Sequence, residues 1–99
     1  MASKFMLFSG RIHQLREERN LYQKQIASAL SIDIPMYCRI ERGERRAKRE
    51  QILILAKVLQ VDSEELLTLW LADQVRAVVD KETFIAKKVL KLVNNSLDK

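Results

Sequence analysis

Glycine, proline and cysteine are scarce in this chain of 99 residues, which contains two glycines, one proline and one cysteine. So few turn-forming residues leave little room for the tight turns of a sheet, and no alternation of apolar and polar residues predicts a strand. A single cysteine, Cys38, excludes an intramolecular disulfide. The sequence therefore predicts an all-α fold, and its length predicts one domain with an appended element.

Long apolar segments are also missing. The longest apolar runs, such as residues 52–56, are far shorter than the roughly 20 residues that a transmembrane helix needs. Residues 1–8 lack the hydrophobic core and cleavage site of a signal peptide. We therefore expect a cytoplasmic protein without a membrane partner.

The side chains that carry most enzyme chemistry are equally sparse. One histidine and one cysteine do not suffice for a metal site. The sequence contains no Gly-rich phosphate loop, no nucleophile with a plausible base and no carboxylate pair in an apolar setting. We expect neither an enzyme nor a protein that holds a cofactor or a metal.

Positive charge is concentrated in one part of the chain. The net charge is +5, but residues 1–60 carry 12 Lys/Arg against 6 Asp/Glu, whereas residues 61–99 carry 6 against 7. An electropositive N-terminal part is suited to a polyanion such as nucleic acid, although basic faces of this kind are as often merely solvated. The near-neutral C-terminal part is expected to have a different function.

Apolar residues recur at helical spacing in six segments. The pattern predicts helices over residues 7–19, 23–30, 33–42 with its cap, 49–60, 64–79 and 82–94. Asp33 and Ser63 stand where an N-cap accepts hydrogen bonds from the first turn. Asn20 and Gly43 stand where a helix ends in the left-handed conformation.

Residues 22–43 carry the strongest functional signal. Their pattern is typical of a short helix, a tight turn and a second helix, with Pro35 in the first turn, where a missing N–H costs nothing. Six basic residues lie in or just after the second helix: Arg39, Arg42, Arg45, Arg46, Lys48 and Arg49. A rigid helix pair with a basic rim is how a small protein places one helix in the major groove of DNA.

Five short segments resemble, in their order and spacing, the Cro/C1-type (XRE family) helix-turn-helix transcriptional regulators. They are Leu15-Arg16-Glu17-Glu18, Gln23-x-x-Ile26-Ala27, the run from Arg39 to Arg45, Leu55-Ala56-Lys57-x-Leu59-x-Val61 and Glu65-Leu66-Leu67. The resemblance implies a phage-repressor-like helix-turn-helix bundle of about five helices plus a C-terminal helical extension. The chain is also similar to small restriction–modification controller proteins in its size, its loop at residues 41–46 and its added C-terminal helices.

The domain organisation follows from this resemblance. We predict a helix-turn-helix DNA-binding domain over residues 7–72, a C-terminal helical extension for dimerisation over 73–94, and a frayed tail over 95–99.

The resemblance also implies which residues face DNA. The base-reading positions of the recognition helix, residues 33–42, fall on Ile34, Pro35, Met36 and Arg39. An arginine can bond guanine O6 and N7, whereas the other three side chains offer only apolar contact. Phosphate contacts are expected from Gln23 and Tyr22 and from Arg42, Arg45, Arg46, Lys48 and Arg49. Arg16 and Glu41 match a buried structural ion pair between the first helix and the recognition helix.

Three departures from the family pattern affect the same region. Ser31 replaces the glycine usual in the turn, so a left-handed backbone there would be strained. Tyr22 replaces the small polar cap that usually precedes Gln23. Residues 47–49, Ala-Lys-Arg, replace a loop that usually contains proline and serine, which adds charge and removes a cap.

The C-terminal helices contain more apolar residues than one helix face can bury. We therefore predict a homodimer, held by the fifth and sixth helices, on a pseudo-palindromic stretch of double-stranded DNA, with Trp70 in the core or at its edge. The interface residues are Trp70, Val75, Val78, Val79, Phe84 and Ile85. One alternative is an antitoxin-like module that binds a partner protein through its C-terminal helices and autoregulates its operon; another is an RNA-binding or adaptor role. The sequence does not distinguish an activator from a repressor or identify the operator.

Overall fold

The computed structural model describes residues 6–98, and these form six α-helices and no strand. The helices are α1 (Met6–Glu18), α2 (Gln23–Ala29), α3 (Ile34–Glu41), α4 (Arg49–Leu59), α5 (Ser63–Val79) and α6 (Ala86–Ser96). The predicted all-α fold is confirmed, and each predicted helix has a counterpart.

The first five helices share one apolar core. α1 packs against α5, α2 against α3, and α4 against α5. The largest fully buried side chains are Tyr37, Ile12, Leu15, Ile26, Ile40, Ile52, Leu55, Leu59 and Leu66. The apolar stripes expected on the first, second and fourth helices all face this core. Burial of each large apolar side chain contributes about 1.5–3 kcal/mol.

The start of α3 is as predicted, but the start of α5 differs by one residue. Asp33 caps α3, since its Oδ1 accepts a hydrogen bond from the Met36 N–H at 2.8 Å. The expected cap Ser63 is instead the first helical residue, and Asp62 Oδ1 accepts from the Glu64 N–H at 3.0 Å. Asp62 is suited to this position because a carboxylate is favoured at the positive end of the helix dipole.

The last helix begins four residues later than expected. In residues 82–85 the Glu82 carbonyl oxygen accepts from both the Ile85 and the Ala86 N–H, so the chain turns before α6 begins. α6 then continues to Ser96, two residues into the predicted tail, while Lys99 lies outside the described residues. No residue of α6 is buried, and the helix packs extensively against none of the other five.

Four of the described residues have positive φ, namely Asn20, Ser31, Gly43 and Gln60. Asn20 and Gly43 end α1 and α3 as predicted, with φ of 55° and 76°. Ser31, in the turn between α2 and α3, has φ of 57°, so the expected strain is present because a serine occupies the left-handed region.

A buried carboxylate on α5 binds the first turn of α1. The Oδ1 and Oδ2 atoms of Asp73 accept hydrogen bonds from the Leu7 and Phe8 N–H groups at 3.1 and 3.0 Å. These N–H groups belong to the first turn of α1, where no partner within the helix exists. The predicted boundary between residues 72 and 73 thus falls inside α5, next to a residue that holds α1.

Within residues 6–98, no helix has both the length and the apolar character needed to cross a membrane.

Candidate nucleic-acid interface

The recognition helix α3 has one buried side and one open side. Its buried residues are Tyr37, Ile40 and Glu41. The four predicted base readers lie on the other side: Ile34, Pro35 and Arg39 are exposed and Met36 is half-buried. The structure therefore brings these four together on one surface, and their contact with bases stays a prediction.

Glu41 fastens this helix to α1 and α2. Its carboxylate, with the side chain only 4% exposed, accepts from Arg16 Nε at 2.6 Å and from Arg16 Nη2 at 3.2 Å. The same carboxylate accepts from Gln23 Nε2 at 2.7 Å and from the Tyr37 hydroxyl at 3.1 Å. Arg16 and Glu41 thus form the expected pair, and two further donors complete it. Such a satisfied network orients α3 relative to the rest of the domain.

The charges in this network follow from its geometry. Burial raises the pKa of Glu41, but the hydrogen bonds from Arg16, Gln23 and His13 act more strongly together, so the pKa lies below its ordinary value. The hydrogen bond to Glu41 raises the pKa of Arg16. Burial raises the pKa of Tyr37, which therefore stays a neutral donor. A charged Arg16–Glu41 pair with the neutral donors Gln23 and Tyr37 beside it is the state expected at neutral pH.

Gln23 faces α3 with both ends of its amide. While Nε2 donates to Glu41, Oε1 accepts from the Cys38 thiol at 3.2 Å. The side chain therefore links α2 to α3, and its expected phosphate contact stays a prediction. His13 is half exposed, with its ring beside Glu17 and with Nδ1 3.4 Å from Glu41.

The basic loop, residues 42–48 between α3 and α4, is exposed except for Gly43 and Ala47. Arg42 lies 3.3 Å from Glu44 in a surface ion pair, which contributes little. Arg45 and Lys48 form no salt bridge within residues 6–98, and neither does Arg49 at the start of α4. Positive charge thus stands open to solvent in the loop that directly follows α3. Tyr22, 76% exposed, lies before α2 and makes no side-chain cap.

The predicted dimer residues divide into two groups. Trp70 is buried in the core of the single chain, and its Nε1 donates to the Ala47 carbonyl oxygen at 2.8 Å. Its side chain is therefore covered within the single chain, and its place in a dimer interface stays a prediction. Exposed apolar side chains remain at Val75, Val78, Phe84 and Ile85, and Val79 is half-buried.

Sequence reasoning missed several polar contacts. No pattern among neighbouring residues in the sequence indicates that Gln23 and Tyr37 donate to Glu41. The same is true of the position of Arg46 over Trp70. Asp73 did leave a signal: it continues the buried stripe of Leu66 and Trp70, where a carboxylate needs a partner.

Comparison with known proteins identifies the class. Residues 7–69 match the family model described as a helix-turn-helix domain. The chain therefore belongs to the helix-turn-helix family, and the predicted resemblance to its Cro/C1 (XRE) type is confirmed. It is 32% identical over 83 residues to the cryptic phage CTXphi transcriptional repressor RstR of Vibrio cholerae. The match covers 84% of this chain and 65% of that repressor, so the chain spans about two thirds of its relative's length. No solved structure matches at a comparable level of significance.

Proposed function

We propose that this chain is a sequence-specific DNA-binding transcriptional regulator that acts as a homodimer on a pseudo-palindromic operator. The observation that carries the proposal is the open face of α3, with Arg39 among apolar side chains, beside a basic loop whose Arg45 and Lys48 have no acidic partner in the described residues. The relative RstR is named a transcriptional repressor, which supports the same class of function.

Each group has a distinct role in this proposal. Arg39 donates two hydrogen bonds to O6 and N7 of a guanine, and this contact specifies one base pair. Ile34, Pro35 and Met36 offer no side-chain donor, so they select for thymine methyl groups by apolar contact. The basic loop neutralises phosphates, which fixes the position of α3 in the groove without reading sequence.

The test compares two arginine variants on two DNAs. Arg39→Ala should weaken binding to the selected operator by about 1–3 kcal/mol and relax specificity at one base pair. Arg45→Ala, the control in the exposed loop, should weaken binding to operator and random duplex alike and reduce the log–log salt slope by about 1. Equal losses on both DNAs for Arg39→Ala would remove it as a base reader.

The dimer is supported by apolar surface that the single chain leaves uncovered. On α5, Leu71, Val75 and Val78 are exposed. On α6, the spacing places one apolar stripe along the helix, formed by Ala86, Val89, Leu90 and Val93 and continued by Leu97 just after its end. The sequences of α5 and α6 carry net charges of −2 and +3, and opposite charges favour the packing of α5 of one copy against α6 of another.

Two matched substitutions test this surface. Val75 and Leu53 are both 47% exposed, on α5 and α4. Val75→Lys should convert the dimer to a monomer in sedimentation at about micromolar concentration, because a buried unpaired charge is costly at an interface. Leu53→Lys should leave the dimer intact. A monomeric wild-type chain would contradict the dimer, and the C-terminal helices would then be left for a protein partner.

A further inference from the structure

One side chain of α5 holds two neighbouring residues of the basic loop. The Trp70 Nε1 donates to the Ala47 carbonyl oxygen at 2.8 Å, and Ala47 is itself buried. The guanidinium of Arg46 lies over the indole ring, 5.5 Å from its centroid. The packing of α5 therefore determines the path of a loop that is distant from it in sequence.

Core packing alone does not require these two contacts. A phenylalanine would fill much of the apolar site, whereas an indole adds an N–H donor and an extended face for a cation. The rest of this end of the loop is held at Lys48, whose carbonyl oxygen accepts from the Gln51 and Ile52 N–H groups at 3.0 and 3.2 Å. Lys48 makes no side-chain cap for α4, and only Gln51 Oε1 accepts from the Lys48 N–H, at 2.8 Å.

Stacking leaves the charge of Arg46 available. A guanidinium that lies over a ring keeps the N–H donors that do not point at the ring, and a guanidinium matches the geometry of phosphate. Arg46 forms no salt bridge within residues 6–98, whereas Arg42 of the same loop is beside Glu44. The stack thus orders Arg46 without neutralising it.

We propose that Trp70 is a positioning residue of the DNA interface, which fixes the basic loop at Ala47 and orders Arg46 before it meets a phosphate. This inference rests on the proposed DNA-binding function. Binding loses less conformational entropy when a long side chain is already ordered, so the stack strengthens binding without touching DNA.

The affinity for a random-sequence duplex of about 30 base pairs, roughly three helical turns, tests this role. Trp70→Phe, which keeps an aromatic ring but removes the N–H donor, should weaken binding roughly 2- to 10-fold, the effect of ordering one long side chain. Leu66→Val, a buried change in the same helix, is the control for stability and should leave the affinity within about 2-fold. The loss in Trp70→Phe/Arg46→Ala should be smaller than the product of the two single losses, because Arg46→Ala leaves no guanidinium for the ring to order.

Fluorescence adds a readout that does not depend on DNA. Trp70 is the only tryptophan in the chain, so its emission reports the stack directly. Arg46→Ala should change the emission of the free protein, and Arg45→Ala should leave it unchanged. Unchanged emission in Arg46→Ala, wild-type affinity in Trp70→Phe, or independent losses in the double variant would each overturn the role of Trp70. A wild-type chain that fails to bind the duplex would overturn the proposed function as well.

Discussion

Glu41→Gln removes the negative charge from the network that holds α3 while preserving the size of the side chain. In the native protein the carboxylate accepts from Arg16, Gln23 and Tyr37. A glutamine has one oxygen, and its amide nitrogen would face donors that need an acceptor. The substitution therefore leaves Arg16 without its counter-charge and at least one donor unsatisfied.

The expected cost follows from burial. Removing one partner of a buried ion pair costs about 3–5 kcal/mol. The Arg16 side chain is 15% exposed, so water solvates part of its charge. We therefore expect the free energy of unfolding to fall by about 3 kcal/mol, the lower end of this range. At about 4–8 °C per kcal/mol for a domain of this size, Tm should fall by about 12–24 °C.

Urea unfolding followed by circular dichroism measures this loss, with m unchanged. Glu44→Gln is the control, since the Glu44 carboxylate pairs with Arg42 on the surface and should contribute less than about 1 kcal/mol. A loss below about 1 kcal/mol for Glu41→Gln, no larger than that surface contribution, would refute the view that the network holds α3.

The same pair of proteins gives a prediction for pH. Because the pKa of Glu41 is lowered in the folded state, its charge stabilises the fold above the unfolded pKa of about 4.3. The contribution is lost as the pH falls through the lower folded value. The difference in unfolding free energy between wild type and Glu41→Gln should be constant near neutral pH and shrink below about pH 4. A difference that grows on acidification would contradict this sign.

Two further substitutions test the backbone and the buried carboxylate. Ser31→Gly should stabilise the protein by up to about 1 kcal/mol, because glycine adopts the left-handed backbone of this turn without strain. The control Ser28→Gly, in α2, should destabilise the protein by about 0.5 kcal/mol. Effects of the same sign in urea unfolding would contradict the inferred strain at Ser31. Asp73→Asn should cost about 1–3 kcal/mol, because one of the Leu7 and Phe8 N–H groups loses its acceptor. Hydrogen exchange at these two amides should accelerate, and unchanged exchange would exclude the cap.

Features that depend on neighbours in sequence were predictable here. The stripe of Phe8, Ile12 and Leu15 marks a helix face because residues three and four apart lie on the same side. Asp33 and Gly43 bound the recognition helix through bonds within a few residues. Predicted helix boundaries were wrong where two neighbouring residues were equally suited to cap a helix, as with Asp62 and Ser63 before α5. They were also wrong where no residue marks the start of a helix clearly, as at α6.

The sequence by itself thus determined the helices, the apolar core, the family and the residues that line the open face of α3. Only the tertiary structure decided the partners of the polar side chains: Gln23 and Tyr37 on Glu41, Asp73 on the first turn of α1, and Trp70 on the basic loop. The physical reason is the distance along the chain over which each interaction acts, because a helix forms from contacts within one or two turns. A buried polar group is satisfied by whatever donor or acceptor the packing brings near, and Asp73 finds its partners 65 and 66 residues away.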